Sequence, residues 1–173
     1  MRLKLALLPL LMAVSCVSSA GESAPIEAPE TDSARAAKYT AALEADPLGD
    51  DATAKRRWLL QWLTDTPDFI VTVCDILGPL PKDDAVPNGP ELLVQQMFGN
   101  VSYQIRNPGK TDTLTLQVAG VESVLRSYSA ILAKDQKARI PYFDNLVTEQ
   151  RKGSLKAHMA PIVASGCAGG DGA

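Results

Sequence analysis

Apolar residues recur along this chain at helical rather than strand spacing. Asp32-Ser33 can cap a first helix reaching about Glu44, which Asp46-Pro47-Leu48-Gly49 stops, because Pro and Gly both punctuate helices. Asp50 or Asp51 caps a second helix to about Asp65, where Trp58, Leu59, Trp62 and Leu63 make one apolar stripe opposite Lys55, Arg56 and Gln61. Thr66-Pro67-Asp68 reads as a helix start, with Thr as cap and Pro at the first helical position. The run Phe69-Ile70-Val71-Thr72-Val73-Cys74 that follows is β-branched enough to suggest a strand. A helix ending at Gly78-Pro79 is preferred, since no partner strand is legible elsewhere in the chain.

Pro79 to Gly89 is a Pro-rich loop, near the length at which loops begin to need a reason, and is a candidate contact surface. Pro90 opens a helix with Leu93, Met97, Val101 and Ile105 every four residues, ended by Asn107-Pro108-Gly109. Thr111 or Asp112 caps the longest helix, to about Lys134, with Leu114, Val118, Val121, Leu125, Tyr128 and Leu132 on one face. Pro141 starts a helix to about Lys152 carrying Tyr142, Phe143, Leu146 and Val147, and Ser154 caps a last one with Leu155, Met159, Ile162 and Val163 inward. The pattern predicts an all-α protein, an irregular bundle of about six to seven helices arranged as αα-hairpins.

Tyr39 to Ala52, with Ala-Leu-Glu-x-Asp-Pro at its centre, resembles the end of one tetratricopeptide-type helix and the turn into the next. The resemblance covers about fourteen residues and its period of about 34 residues does not recur, so it implies a hairpin junction rather than a repeat array.

The N-terminus changes the picture most. Arg2 and Lys4 precede the apolar run Leu5 to Val14, too short to span a bilayer, and Ser18 and Ala20 occupy the −3 and −1 places of a signal-peptidase cut. Residues 1–20 are therefore expected to be a signal peptide cleaved after Ala20, sending the protein to the periplasm or the medium. Ala13-Val14-Ser15-Cys16 also resembles a bacterial lipobox, with Ala where a branched apolar residue is usual, and this implies lipidation at Cys16 as the alternative. On either route Cys74 and Cys167 remain as an even pair in an oxidising compartment, which is most simply a disulfide. Residues 21–32, rich in Pro, Glu, Ser and Ala, read as a flexible leader, 33–167 as the helical domain and 168–173 as a disordered tail.

Charge and motifs exclude more than they assign. The formal charge of −3 becomes −5 once Arg2 and Lys4 are removed, which disfavours nucleic acid and anionic lipid as partners and leaves a membrane only through an anchor at Cys16. No metal-ligand spacing, phosphate-binding loop or nucleophile motif is legible, so no cofactor and no metal is expected. His158 is the single histidine and lies at the edge of an apolar stripe; a Cys74 and His158 nucleophilic pair would require a free thiol. Asn100-Val101-Ser102 is a glycosylation sequon inside a predicted helix.

Trp58 and Trp62, one turn apart and following Lys55-Arg56-Arg57, read first as core. If exposed they make, with Arg57, an aromatic anchor for a partner. These features point to an exported, non-catalytic protein-interaction or accessory module of the cell envelope. The alternative is a small exported hydrolase or transferase using carboxylates gathered by the fold, with Asp68, Asp75 and Glu91 as candidates.

Overall fold

A computed structural model describes residues 29–80, 82, 83 and 85–168. Within them the chain is all-helical, with α1 (Asp32–Ala45), α2 (Ala52–Asp65), α3 (Gly89–Arg106), α4 (Thr113–Lys134), α5 (Pro141–Arg151) and α6 (Leu155–Gly166), and one 3₁₀ turn at Gln136–Ala138. The signal segment, Cys16, most of the leader and the last five residues lie outside the described part.

Local chemistry sets the helix ends. The Thr31 hydroxyl accepts from Ala34 N at 3.1 Å and the Asp112 carboxylate from Thr115 N at 2.8 Å, each satisfying an otherwise orphaned N–H of a first turn. Pro90 and Pro141 occupy first-turn positions, where a missing N–H removes no bond. Pro161 is interior to α6 and cannot donate to the Ala157 carbonyl; both residues are exposed, so water can satisfy that oxygen.

Two apolar clusters form. The larger gathers Val118, Val121, Leu125 and Tyr128 of α4 with Phe143 and Leu146 of α5, Leu155 and Met159 of α6, and Ile76, Leu77 and Leu80. The Pro-rich stretch is thus anchored at its start by buried leucines rather than standing free. The smaller cluster contains Ala36, Leu43, Ala52, Leu59 and Phe98, where the α1–α2 hairpin meets α3. At its turn, Asp46-Pro47-Leu48-Gly49 stops α1 as the sequence indicates.

The α3–α4 pair is the axis of the bundle, and its seam is not the one that apolar periodicity selects. Of the expected stripe only Val101 is buried; Leu93, Met97 and Ile105 are half-buried, whereas Gln95, Gln96, Gly99, Asn100 and Ser102 are buried. The two helices come close at glycines: a Cβ on Gly99 would lie 2.2 Å from that of Ser123, and one on Gly120 would lie 2.7 Å from the Gln96 carbonyl oxygen. At that separation there is no room for a leucine stripe. Amides fill the seam instead, with Gln95 Nε2 donating to Ser123 Oγ at 2.9 Å and Gln96 Nε2 to Gln117 Oε1 at 2.9 Å.

The helix expected after Thr66-Pro67 does not form, and neither does a strand. Phe69 to Cys74 is instead an irregular strap laid over α3 and α4. Ile70 and Val73 are 82% and 61% exposed, so coiling the segment would bury little, and its β-branched residues lose χ1 freedom in a helix. The Ile70 and Thr72 carbonyls accept from Gln104 Nε2 at 3.0 Å and Gln117 Nε2 at 2.8 Å, satisfying in tertiary contacts the oxygens a helix would have used. Thr66 is not an N-cap but the C-cap of α2, its N–H donating to Trp62 O at 2.9 Å, and its hydroxyl accepts a long bond from Asp68 N at 3.4 Å within a local turn.

Candidate functional site

Cys74 and Cys167 form a disulfide across 93 residues with Cα atoms 4.7 Å apart, and Asp75 N donates to Gly166 O at 3.2 Å beside it. The bridge ties the strap's end to the end of α6. It also removes the thiol that a Cys74 and His158 pair would need, and His158 is exposed on α6. In the chain-entropy account, closing a loop of this length stabilises by about 4 to 5 kcal/mol.

The tryptophans sit between the two readings open to them. Tyr39, Trp58, Trp62 and Phe69 form a half-buried ladder joining α1, α2 and the strap, with successive ring centroids 5.2, 6.0 and 5.7 Å apart. Trp58 and Trp62 lie nearly parallel, and the Arg35 guanidinium stands 5.3 Å from the Trp58 centroid. Each aromatic pair adds about 0.5 to 1.5 kcal/mol beyond its burial, so the ladder seals the hairpin while leaving ring edges in contact with water.

Arg57 does not join them. It lies on the opposite flank of α2, where a shallow groove of about 310 Å³ runs between α2 and the start of α3. Leu60, Pro90 and Val94 give it an apolar lining, Leu60 is exposed, and Arg57 and Glu91 supply opposite charges. Arg56 also lines the groove, and its guanidinium donates to Pro47 O at 2.7 Å, bracing the α1–α2 turn.

The three candidate carboxylates are not brought to one place. Asp68 lines a cavity beneath the strap, Glu91 lines the α2–α3 groove, and Asp75 pairs with Lys82 at 2.7 Å. Among the described residues no three His, Cys, Asp or Glu side chains converge as metal ligands would. Asn100 of the sequon is 2% exposed within α3, out of reach of a glycosyl transfer to the folded protein.

Two polar clusters were missed from the sequence because their members lie far apart along it. Glu44 of α1 accepts from Ser123 Oγ at 2.6 Å and from Arg126 Nε and Nη2 at 2.7 and 2.8 Å. The carboxylate raises the Arg126 pKa, and Ser123 is wholly buried, so the trio braces α1 against α4. Two residues further along α4, Tyr128 OH donates to Asp144 Oδ1 at 2.8 Å and accepts from Ile140 N at 2.9 Å, while Arg139 holds the other carboxylate oxygen at 2.8 Å. Burial pushes the Tyr128 phenol pKa up, keeping it a hydrogen-bond donor that fixes the α4–α5 connection. Only the identity of Asp144, in the first turn after Pro141, hints at this in sequence.

The described residues form a disulfide-clamped helical bundle with an aromatic seam along α1 and α2 and an apolar groove between α2 and α3. No family model matches the sequence, and neither the curated proteins nor the solved structures contain a significant match.

Proposed function

We propose that this chain is an exported, non-catalytic module that holds a protein partner at the cell envelope through the α2–α3 groove. The observation that carries the reading is the groove itself: an apolar trough through Leu60, Pro90 and Val94, rimmed by Arg57 and Glu91, on a face where α2 leaves Leu60 exposed. Apolar floors with charged rims suit a helix or loop inserted from a partner, with the arginine as the anchor type most enriched in interface hot spots. A disulfide of this kind persists in oxidising compartments, which supports export. Among the described residues no helix is long and apolar enough to cross a membrane, and the lipobox-like Ala13-Val14-Ser15-Cys16 offers a lipid anchor as the alternative to simple cleavage.

A photoactivatable residue at Leu60, compared with one at exposed Lys137, tests the partner site in cells. Adducts of defined mass at position 60 alone support the groove; equal labelling at both positions, or none at either, removes it. Intact mass of the purified protein settles the address, reporting either the cut after Ala20 or a diacylated Cys16. An uncut N-terminus would overturn export by this signal.

A further inference from the structure

The cavity beneath the strap shares no lining residue with the α2–α3 groove. It encloses about 350 Å³, within the range of ligand sites. At the density of liquid water that volume holds about a dozen non-hydrogen atoms, the size of a single sugar ring. We propose that it is a binding site for a neutral, hydroxyl-rich ligand, a sugar ring or the end of a glycan, held by the carboxamides of α3 and α4 and the threonines that lead into α4.

The lining carries the argument. Asn100 and Gln117, 2% and 1% exposed, are held in place by neighbouring amides: Asn100 Oδ1 accepts from Gln104 Nε2 at 2.8 Å and Gln117 Oε1 from Gln96 Nε2 at 2.9 Å. Among the described residues the Asn100 amino group donates to no protein atom, and neither do the hydroxyls of Thr111 and Thr113. The recess therefore offers donors and acceptors with spare capacity: the amide of Asn100 is buried and costly to leave unmet, while the two threonine hydroxyls at the rim exchange water for a ligand. Ile70 and Leu116 provide an apolar wall for the C–H face of a ring.

Charge and backbone narrow the occupant. Asp68 is the one ionisable residue in the lining and no Lys or Arg joins it, so an anion is disfavoured. An extended peptide would need a free row of main-chain acceptors, but the Ile70 and Thr72 carbonyls on this side already accept from Gln104 and Gln117. A ligand whose every oxygen both donates and accepts matches what remains.

The test is a titration of the ¹⁵N-labelled, disulfide-bonded protein with methyl glucoside, methyl galactoside and N-acetylglucosamine, set against sulfate and a blocked Ala-Ala dipeptide. A saccharide is expected to shift the amides of Thr72, Gln104 and Thr113 while leaving α5 unmoved. The Thr111→Val/Thr113→Val double variant should bind about tenfold more weakly, the loss expected for one or two neutral hydrogen bonds. Both threonines are exposed and Asp112 keeps the helix cap, so the variant's unchanged spectrum away from the recess certifies its fold. No shift at the recess with any saccharide at tens of millimolar overturns the proposal, as does equal affinity in the double variant or a stronger response to sulfate or the dipeptide. Photocrosslinking at Leu60 reads a separate surface, so either result can fail while the other stands.

Discussion

The α1–α2 hairpin and the body built from α3 to α6 are held by different physics. The body has a continuous apolar core around Leu125, Tyr128, Phe143 and Leu146, closed by the Cys74–Cys167 bridge. The hairpin has a small core of two alanines, two leucines and Phe98 of α3, and leans on polar and aromatic contacts at its edges. Glu44 reaches across to Ser123 and Arg126, Ser127 Oγ donates to Leu43 O at 3.1 Å, and Lys134 pairs with Asp46 at 2.8 Å. Apolar area and a covalent bridge resist opening in proportion to their size, while partly exposed ion pairs and half-wet rings give directional fit at lower energy. The difference implies two levels of stability, with the hairpin opening before the body unfolds.

Removing the bridge should have the largest effect and should fall on the body. The Cys74→Ala/Cys167→Ala variant is expected to lose about 4 to 5 kcal/mol in denaturant titrations, because the unfolded chain regains the entropy of a loop of this length. A loss below about 1 kcal/mol would show that the two ends are held together without it. Matched truncations divide the regions next: Leu146→Ala and Leu43→Ala delete the same atoms from wholly buried sites in body and hairpin, each at about 2 to 5 kcal/mol. In native-state hydrogen exchange, Leu43→Ala should reduce protection in α1 and α2 only, whereas Leu146→Ala should reduce it throughout. Equal loss across both regions from Leu43→Ala would mean that the molecule opens as a single unit.

The sequence was informative where one residue's chemistry decides the local outcome. The Asp46-Pro47-Leu48-Gly49 stop, the first-turn prolines at 90 and 141, the cap at Asp112 and the α4 face through Val118, Val121, Leu125 and Tyr128 are all in place. The cysteine pair also followed from counting. What stayed hidden depends on two distant segments meeting. The α3 seam departs from the apolar stripe at all but Val101 because Gly99 and Gly120 let α4 approach too closely for leucines, and nothing in α3 alone announces that. The strap defeats its helix signal because Gln104 and Gln117, more than thirty residues downstream, satisfy its carbonyls. Trp58, Trp62 and Arg57 looked like one patch in sequence, yet helical rotation puts Arg57 on the flank away from the rings.

Glu44→Gln probes the polar side of the comparison. It removes the charge that Arg126 engages and should cost about 1 to 2 kcal/mol, reduced from a fully buried pair because the Arg126 side chain is 43% exposed. The loss should appear as faster exchange in α1, with α5 unchanged. Arg126→Met made together with Glu44→Gln should recover part of it, since the second change removes the guanidinium left without its carboxylate.

The smallest effect should come from acid. Asp46 has its pKa lowered below the ordinary value of 3.8, chiefly by its hydrogen bond to Lys134, and this pair fastens the end of α1 to the last turn of α4. A carboxylate whose folded pKa lies below its unfolded one adds stability that is complete above the unfolded value and lost as pH falls through the folded one. Hairpin protection should therefore be flat down to about pH 4 and then weaken below it. In Asp46→Asn the same contribution is missing at every pH, so its hairpin should start less protected and show a shallower acid response. Identical acid responses in Asp46→Asn and the parent would assign the weakening to other carboxylates whose pKa is lowered, among them Glu30, whose pairing with Lys38 and Arg35 also lies in α1. The Glu30→Gln variant would then carry the loss instead, and the hairpin's acid sensitivity would belong to its first turn rather than to its junction with α4.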